Sequence, residues 1–139
     1  MNPHPRTTPG ATVSDPATNK QTVIAYYTLA FNEKKPAEAV SRYVGPQYIQ
    51  HNPMAPDGPD AFVEFVTGLV AQFPQLSLDI KKAIAEGDLV ATHSLMKMSP
   101  EDRGTAAADF FRLEDGKIVE HWDVVQPVPE TAANDNTMF

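Results

Sequence analysis

Residues 109–126 read DFFRLEDGKIVEHWDVVQ. Two runs of β-branched and aromatic residues flank Glu114-Asp115-Gly116, the composition of a tight antiparallel turn, so the stretch predicts a hairpin. Side chains alternate across a strand. Ala107, Asp109 and Phe111 therefore share one face and Ala108, Phe110 and Arg112 the other, while in the second strand Val119, His121, Asp123 and Val125 oppose Ile118, Trp122 and Val124. Large apolar groups on both faces predict that both are covered, by helices on one side and by a second copy of the chain on the other. Counted outward from the turn, Asp109 and Asp123 stand at roughly equal distances and are expected to approach each other on the helix-covered face. Two carboxyls close together in an apolar hollow cannot both ionise cheaply, so one is held protonated as an acid while the other serves as a base. A strand Asp serves equally to cap a loop, to pair with Arg112 or to face water.

Upstream of the hairpin the alternating pattern continues back to Leu76. LSLDIKKAIAEG (76–87), DLVATHSLMKM (88–98), GTAAADFFRLEDG (104–116) and KIVEHWDVVQPVP (117–129) are four strand candidates, joined by EGD, a polar loop over 99–104, and EDG. Before Leu76 the period is helical. Asp15 followed by Pro16 is an N-cap with proline at the first helical position, and Val23, Ile24, Tyr27, Ala30 and Phe31 carry one apolar stripe to about Lys34. Pro36 opens a second short helix, PAEAVSRYV, which stops at Gly45-Pro46. QYIQHNP (47–53) reads as a short extended piece. Phe62, Phe65, Val66, Leu69, Val70 and Phe73 mark a third helix, ended by Pro74. Three helices followed by a mainly antiparallel curved sheet predict an α+β cone with an apolar interior. Residues 1–14, rich in Pro, Thr, Asn and Gly, are expected to form a flexible arm, 15–129 the domain and 130–139 a tail.

Composition narrows the function classes. The 139 residues fit one domain, 42% of them apolar, without an apolar run approaching the ~18 residues of a membrane span. A net charge of −7 with scattered Lys and Arg argues against nucleic acid and anionic membrane surfaces as partners. The absence of cysteine removes disulfides, thiolate nucleophiles and thiolate metal sites. The N-terminal stretch has no apolar core segment of the secretory kind, so a cytoplasmic location is the default expectation. There is no Gly-rich phosphate loop and no G-x-S-x-G elbow. His51, His93, Asp109 and His121 could in principle converge on a metal, but no pair has H-x-H or H-E-x-x-H spacing, and neither metal nor cofactor is expected.

YIQHNP, GDLVATH and above all ADFFRLEDGKIVEHWDVVQ resemble the SnoaL-like polyketide cyclase family. That family lies within the nuclear transport factor 2-like superfamily, which also holds ketosteroid isomerases and limonene-epoxide hydrolases. The likeness covers about residues 18–129. It implies a cofactor-free aldol ring closure with Asp123 as general acid/base. Asp109 stands where ketosteroid isomerases keep a protonated Asp that donates to an oxyanion; the cyclases tend to carry His there, a departure that bears on the substrate. His51 and Asn52 fall where the family lines the pocket mouth, although an Asx turn before Pro53 would use the same residues. His93, if it stands beside an Asp, completes a proton-transfer pair, or else is a core histidine. Tyr48, Phe65, Phe111 and His121 are expected on the binding wall, whereas Tyr26 and Tyr27 read as core. Trp122, Phe110 and Val124 read as packing or as the contact of a homodimer. The resulting expectation is acid/base chemistry, of aldol-cyclisation or isomerisation type, on an apolar carbonyl-bearing small molecule. The alternatives are a non-catalytic binding or dimerisation module, and epoxide hydrolysis or dehydration in the same pocket.

Overall fold

The computed structural model describes residues 15–139, so the expected arm over 1–14 lies outside the described residues. Asp15 caps helix α1, Pro16–Tyr27: its carboxylate accepts the Thr18 backbone N–H at 2.8 Å and the Thr18 hydroxyl at 3.0 Å, and Pro16 supplies a φ already suited to a first turn. The helix does not run on unchanged to Lys34. Over Thr28–Asn32 it widens into a π-helical turn. The smaller rotation per residue lets Leu29, Ala30 and Phe31, three residues in a row, all face the core, which a regular α-helix would spread around its surface. Asn32 then bonds both the backbone N–H and C=O of Leu78, each at 2.8 Å, and ties the helix end to the sheet.

Helix α2, Pro36–Tyr43, leads directly into strand β1, Val44–Gln50; helix α3, Pro59–Gln72, precedes β2, Ser77–Glu86, β3, Leu89–Lys97, β4, Thr105–Glu114, and β5, Lys117–Pro127. The sheet order is β1-β5-β4-β3-β2. Successive strands from β2 to β5 pair antiparallel, and the stretch expected only as an extended piece joins the far edge as β1, parallel to β5. The sheet stays open, with the helices over its inner face. Tyr26, Phe111, Ile118, Val23 and Val90 are fully buried between the two layers; each such side chain stabilises the fold by about 1.5–3 kcal/mol.

The β4–β5 hairpin turns at Asp115 and Gly116, with φ of 51° and 77°, the two positive values that a two-residue type I′ turn requires. From the pairing Glu114↔Lys117, an unbroken ladder would set Asp109 opposite Trp122. A bulge prevents this: Leu113 pairs Ile118 but Arg112 pairs Glu120, leaving Val119 as the extra residue. Beyond it Phe111 pairs His121 and Asp109 pairs Asp123. Val119 fits because its neighbour on β1 is Gly45, where a Cβ would lie 2.9 Å from Val119 Cγ1.

On the outer face the same strands carry a charge network centred on the buried Arg112 and Glu120. Arg112 Nε donates to Glu120 Oε1 at 2.7 Å, its guanidinium also pairs with Glu114, and Glu120 Oε2 meets His51 Nε2 at 2.7 Å. Burial raises the Glu120 carboxyl, but the bonds from Arg112 and His51 outweigh it and hold the group below its ordinary range. The His51 ring lies flat on Trp122 with centroids 4.7 Å apart. Ile84, Phe110 and Val124 stand exposed nearby. After β5, Val128 N–H bonds Gly104 C=O at 2.9 Å, and the segment from 128 to 139 runs without helix or strand to Phe139, whose ring packs 5.5 Å from that of His93. Among the described residues no helix is long and apolar enough to cross a membrane.

Candidate active site

Between α1, α3 and the inner sheet face lies a cavity of about 260 Å³. Its walls are mostly apolar, with Phe31, Met54, Phe62, Phe65, Leu78 and Met96 among them. Its polar end is formed by Asp109, His121, Asp123, Gln50, Asn52 and Tyr27. A hollow of apolar walls with a few convergent polar groups is the usual form of a small-molecule site.

Asp109, 3% exposed, sits at the floor. The Tyr27 hydroxyl donates to its Oδ1 at 2.9 Å, and His121 Nε2 meets the same oxygen at 2.7 Å. Nε2 is also 3.1 Å from the Tyr27 oxygen and 3.9 Å from Asp123 Oδ2, so the imidazole stands between the two carboxyls. The other ring nitrogen, Nδ1, meets Gln50 Oε1 at 2.7 Å. Tyr48 stacks on the ring at 9° between planes and Phe111 packs against it at 5.1 Å. Asn52 Nδ2 donates to Asp123 Oδ2 at 3.2 Å, while Asn52 Oδ1 accepts the Met54 N–H at 2.8 Å, the Asx turn that shapes the loop after β1.

Asp123 is the acid with the most cavity access. Burial is the largest influence on it and raises its carboxyl above the ordinary value; the charge of Asp109 adds to this, while His121 and the Asn52 bond oppose it. Burial, reinforced by the charge of Asp109, also lifts the Tyr27 hydroxyl well above its usual value, so that it stays a donor. The donor atoms of Asp109, His121 and Asp123 lie within 4.8 Å of one another. That span would suit a cation, and 2.7 Å between Nε2 and Oδ1 is also a hydrogen-bond distance, so the arrangement is equally suited to holding and passing a proton.

Of the residues expected at the site, Asp109, Asp123, His121, Asn52, Tyr48 and Phe65 line the cavity. Three others do not. His93 pairs across the sheet with Ala108, while its neighbour Thr92 pairs with Asp109; strand alternation therefore turns the His93 ring to the outer face, against Phe139. His51 follows Gln50 by one residue and so points to the outer network instead of the pocket mouth. Phe111 is fully buried behind the wall, supporting Tyr27 and His121. Conversely, Gln50 and Tyr27 belong to the site without having been expected there. Alternation along β1 was the available signal: Tyr48, Gln50 and Asn52 share a parity that excludes His51.

The model of the SnoaL-like domain matches residues 23–121, most of the chain. The chain belongs to the SnoaL-like family. Solved structures share the fold. TsrD from Streptomyces laurentii superposes with a TM-score of 0.65 at 22% identity, covering 81% of this chain and 90% of its own. A candidate polyketide cyclase from Acidithiobacillus ferrooxidans gives 0.66 at 21%, covering 82% and 90%. An LEH-like epoxide hydrolase from M. tuberculosis gives 0.63 at 16%, covering 81% and 86%. No curated protein matches the chain in sequence. Proteins of differing descriptions thus share this fold, and the chemistry has to be argued from the side chains in the cavity.

Proposed function

We propose that this SnoaL-like protein is a cofactor-independent enzyme that moves protons on an apolar, carbonyl-bearing small molecule, in a reaction of the aldol-cyclisation or isomerisation class. The observation that carries the reading is Asp123: a carboxyl lifted by burial, opening on an apolar cavity, with the Asp109–His121 pair directly behind it. As carboxylate it takes the proton from the carbon next to a carbonyl. The resulting enolate either attacks a second carbonyl carbon within the same molecule, whose new alkoxide oxygen takes the proton back from Asp123, or regains that proton at another carbon, and on both routes Asp123 returns to carboxylate. Among the described residues that line the cavity there is no Lys or Arg, and two of them are the acids Asp109 and Asp123, which favours a neutral substrate over a phosphate- or carboxylate-bearing one.

A panel of small ketones and lactones, screened for retention by mass spectrometry, identifies ligands, and deuterium uptake at the carbonyl-adjacent carbon reports turnover. Asp123→Asn is expected to lower that exchange by roughly 10²–10⁴-fold with the fold intact. An unchanged rate refutes the assignment, and a wild-type protein that binds but exchanges nothing is a ligand-binding module of the same fold. A water-activating reaction, epoxide opening or dehydration, is the second reading. It draws on the Tyr27 hydroxyl beside Asp109, and product analysis in labelled water separates it from the first.

A further inference from the structure

We infer that Gln50 is a positioning residue which sets the tautomer of His121 and thereby obliges the His121–Asp109 pair to hold one transferable proton. The Gln50 side chain ends in one amide oxygen and one amide nitrogen. The Asn52 backbone N–H, which can only donate, points at one of its terminal atoms at 3.1 Å, so that atom is the oxygen. The same oxygen lies 2.7 Å from His121 Nδ1, and between an acceptor and a ring nitrogen at that distance the nitrogen must carry the hydrogen. Nδ1 is therefore N–H. A neutral ring would then present a bare lone pair at Nε2, 2.7 Å from a carboxylate oxygen, which is repulsive. The single proton of the Tyr27 hydroxyl is donated to Asp109 and cannot serve both contacts. A further proton must lie between Nε2 and Oδ1, on either atom, and the pair as a whole is neutral.

The surroundings do not supply a substitute. Facing the ring are Tyr27 from α1, Tyr48 and Gln50 from β1, Asp109 and Phe111 from β4, and Asp123 two residues along its own strand. Burial, with the charge of Asp109 adding to it, keeps the hydroxyls of Tyr27 and Tyr48 un-ionised, leaving the two carboxyls as the charges that matter. Glu120 and His51, the neighbouring titratable residues next to His121 and Gln50 in sequence, point to the other face of the sheet. With Nε2 3.9 Å from Asp123 Oδ2, a small swing of the ring hands the shared proton to Asp123, leaving a neutral His121 that still carries Nδ1–H, and an ionised Asp109; no proton is gained or lost by the three groups. This catalytic consequence rests on the proton-transfer reading above, whereas the tautomer does not.

Nitrogen-15 NMR of the full chain tests the tautomer without a substrate, the His121 signals being identified by their loss in His121→Gln. Wild type is expected to show a protonated Nδ1 throughout the neutral range. In Gln50→Leu the acceptor is gone, the Nε2–H tautomer can bond Asp109 unaided, and the pair should release its proton about one pH unit lower. Gln50→Glu keeps the acceptor, adds a negative charge, and should hold the proton to higher pH. Opposite shifts in the two variants support the inference. Shifts of the same sign, no shift, or a wild-type Nδ1 without hydrogen overturn it, and Gln50→Glu alone decides the matter if Gln50→Leu does not fold. Once a substrate is in hand, the inflection of the pH–rate profile should move with the NMR midpoint. Opposite NMR shifts with an unmoved profile uphold the tautomer and overturn its role in turnover.

Discussion

Replacing Tyr27 with Phe removes one hydroxyl and nothing else. The ring keeps its edge contacts with Phe31 at 5.1 Å and Phe111 at 5.0 Å, so no cavity larger than the oxygen opens. What is lost is a 2.9 Å bond to a buried carboxylate, and bonds to charged partners contribute roughly 1.5–3 kcal/mol. Asp109 Oδ1 keeps its contact with His121, so the oxygen is weakened but not orphaned, and the Phe ring needs no hydrogen-bond partner on burial. These considerations place the cost at about 2 kcal/mol, or a Tm lowered by roughly 6–10 °C in a domain of this size. Urea unfolding should show a lower midpoint at unchanged slope. Tyr26→Phe is the internal comparison: its equally buried hydroxyl donates only to the Tyr48 hydroxyl, at 3.3 Å, and a neutral bond of that length contributes about 1 kcal/mol or less. Equal costs for the two substitutions, or a Tyr27→Phe cost below about 0.5 kcal/mol, would refute the reasoning, because the charge of the acceptor would then contribute nothing.

Burial is the largest of the causes that hold the hydroxyls of Tyr26, Tyr27 and Tyr48 above the ordinary phenol pKa of about 10. The unfolded chain releases these protons at ordinary alkaline pH and the folded chain does not, so their contribution is fully present below pH 10 and is lost above it, by about 1.4 kcal/mol per pH unit for each group. Phenolate absorbance should therefore rise together with unfolding; three tyrosines ionising while the circular dichroism stays native would contradict this. Gly104→Ala is expected to destabilise by about 2 kcal/mol or more, since φ is 91° and the new Cβ would stand 2.8 Å from the Met96 carbonyl oxygen. Gly87→Ala, with φ of 58° and open space around it, should cost only about 1 kcal/mol, and denaturation of the pair checks the ranking.

Local chemistry made most of the scaffold legible. Asp15-Pro16, the Glu-Asp-Gly turn and the shift from helical to alternating period each act within a few residues, and each lies where expected. The π-helical turn after Tyr27 was not legible, because nothing in Thr-Leu-Ala-Phe-Asn distinguishes it from α-helix until Asn32 finds its partners on β2, 46 residues away. The edge strand β1 was seen only as extended because its partner, β5, is the last strand of the chain. In the site, parity along each strand grouped His121 with Asp123 and Asp109 with Phe111, but the two groups share a face only because of the bulge at Val119, which no local signal announces. His93 and His51 were attractive by residue type, yet parity turns both outward. Gln50 carried no chemical advertisement, and its importance comes wholly from which nitrogen of a distant imidazole it faces.

The extra residue at Val119 has a consequence for descent as well as for geometry. Remove it, and the turn, the strand and the helical layer all keep their places, but every side chain beyond it on β5 exchanges sides: Trp122 would fill the hollow and Asp123 would look out to solvent. The acids therefore meet because of a count, five residues instead of four between Gly116 and Trp122, and not because of any attraction between them. A relative shorter by one at that point would inherit the vessel with the reagents on the outside, and measuring this interval in other chains of the same shape sorts them without a single assay.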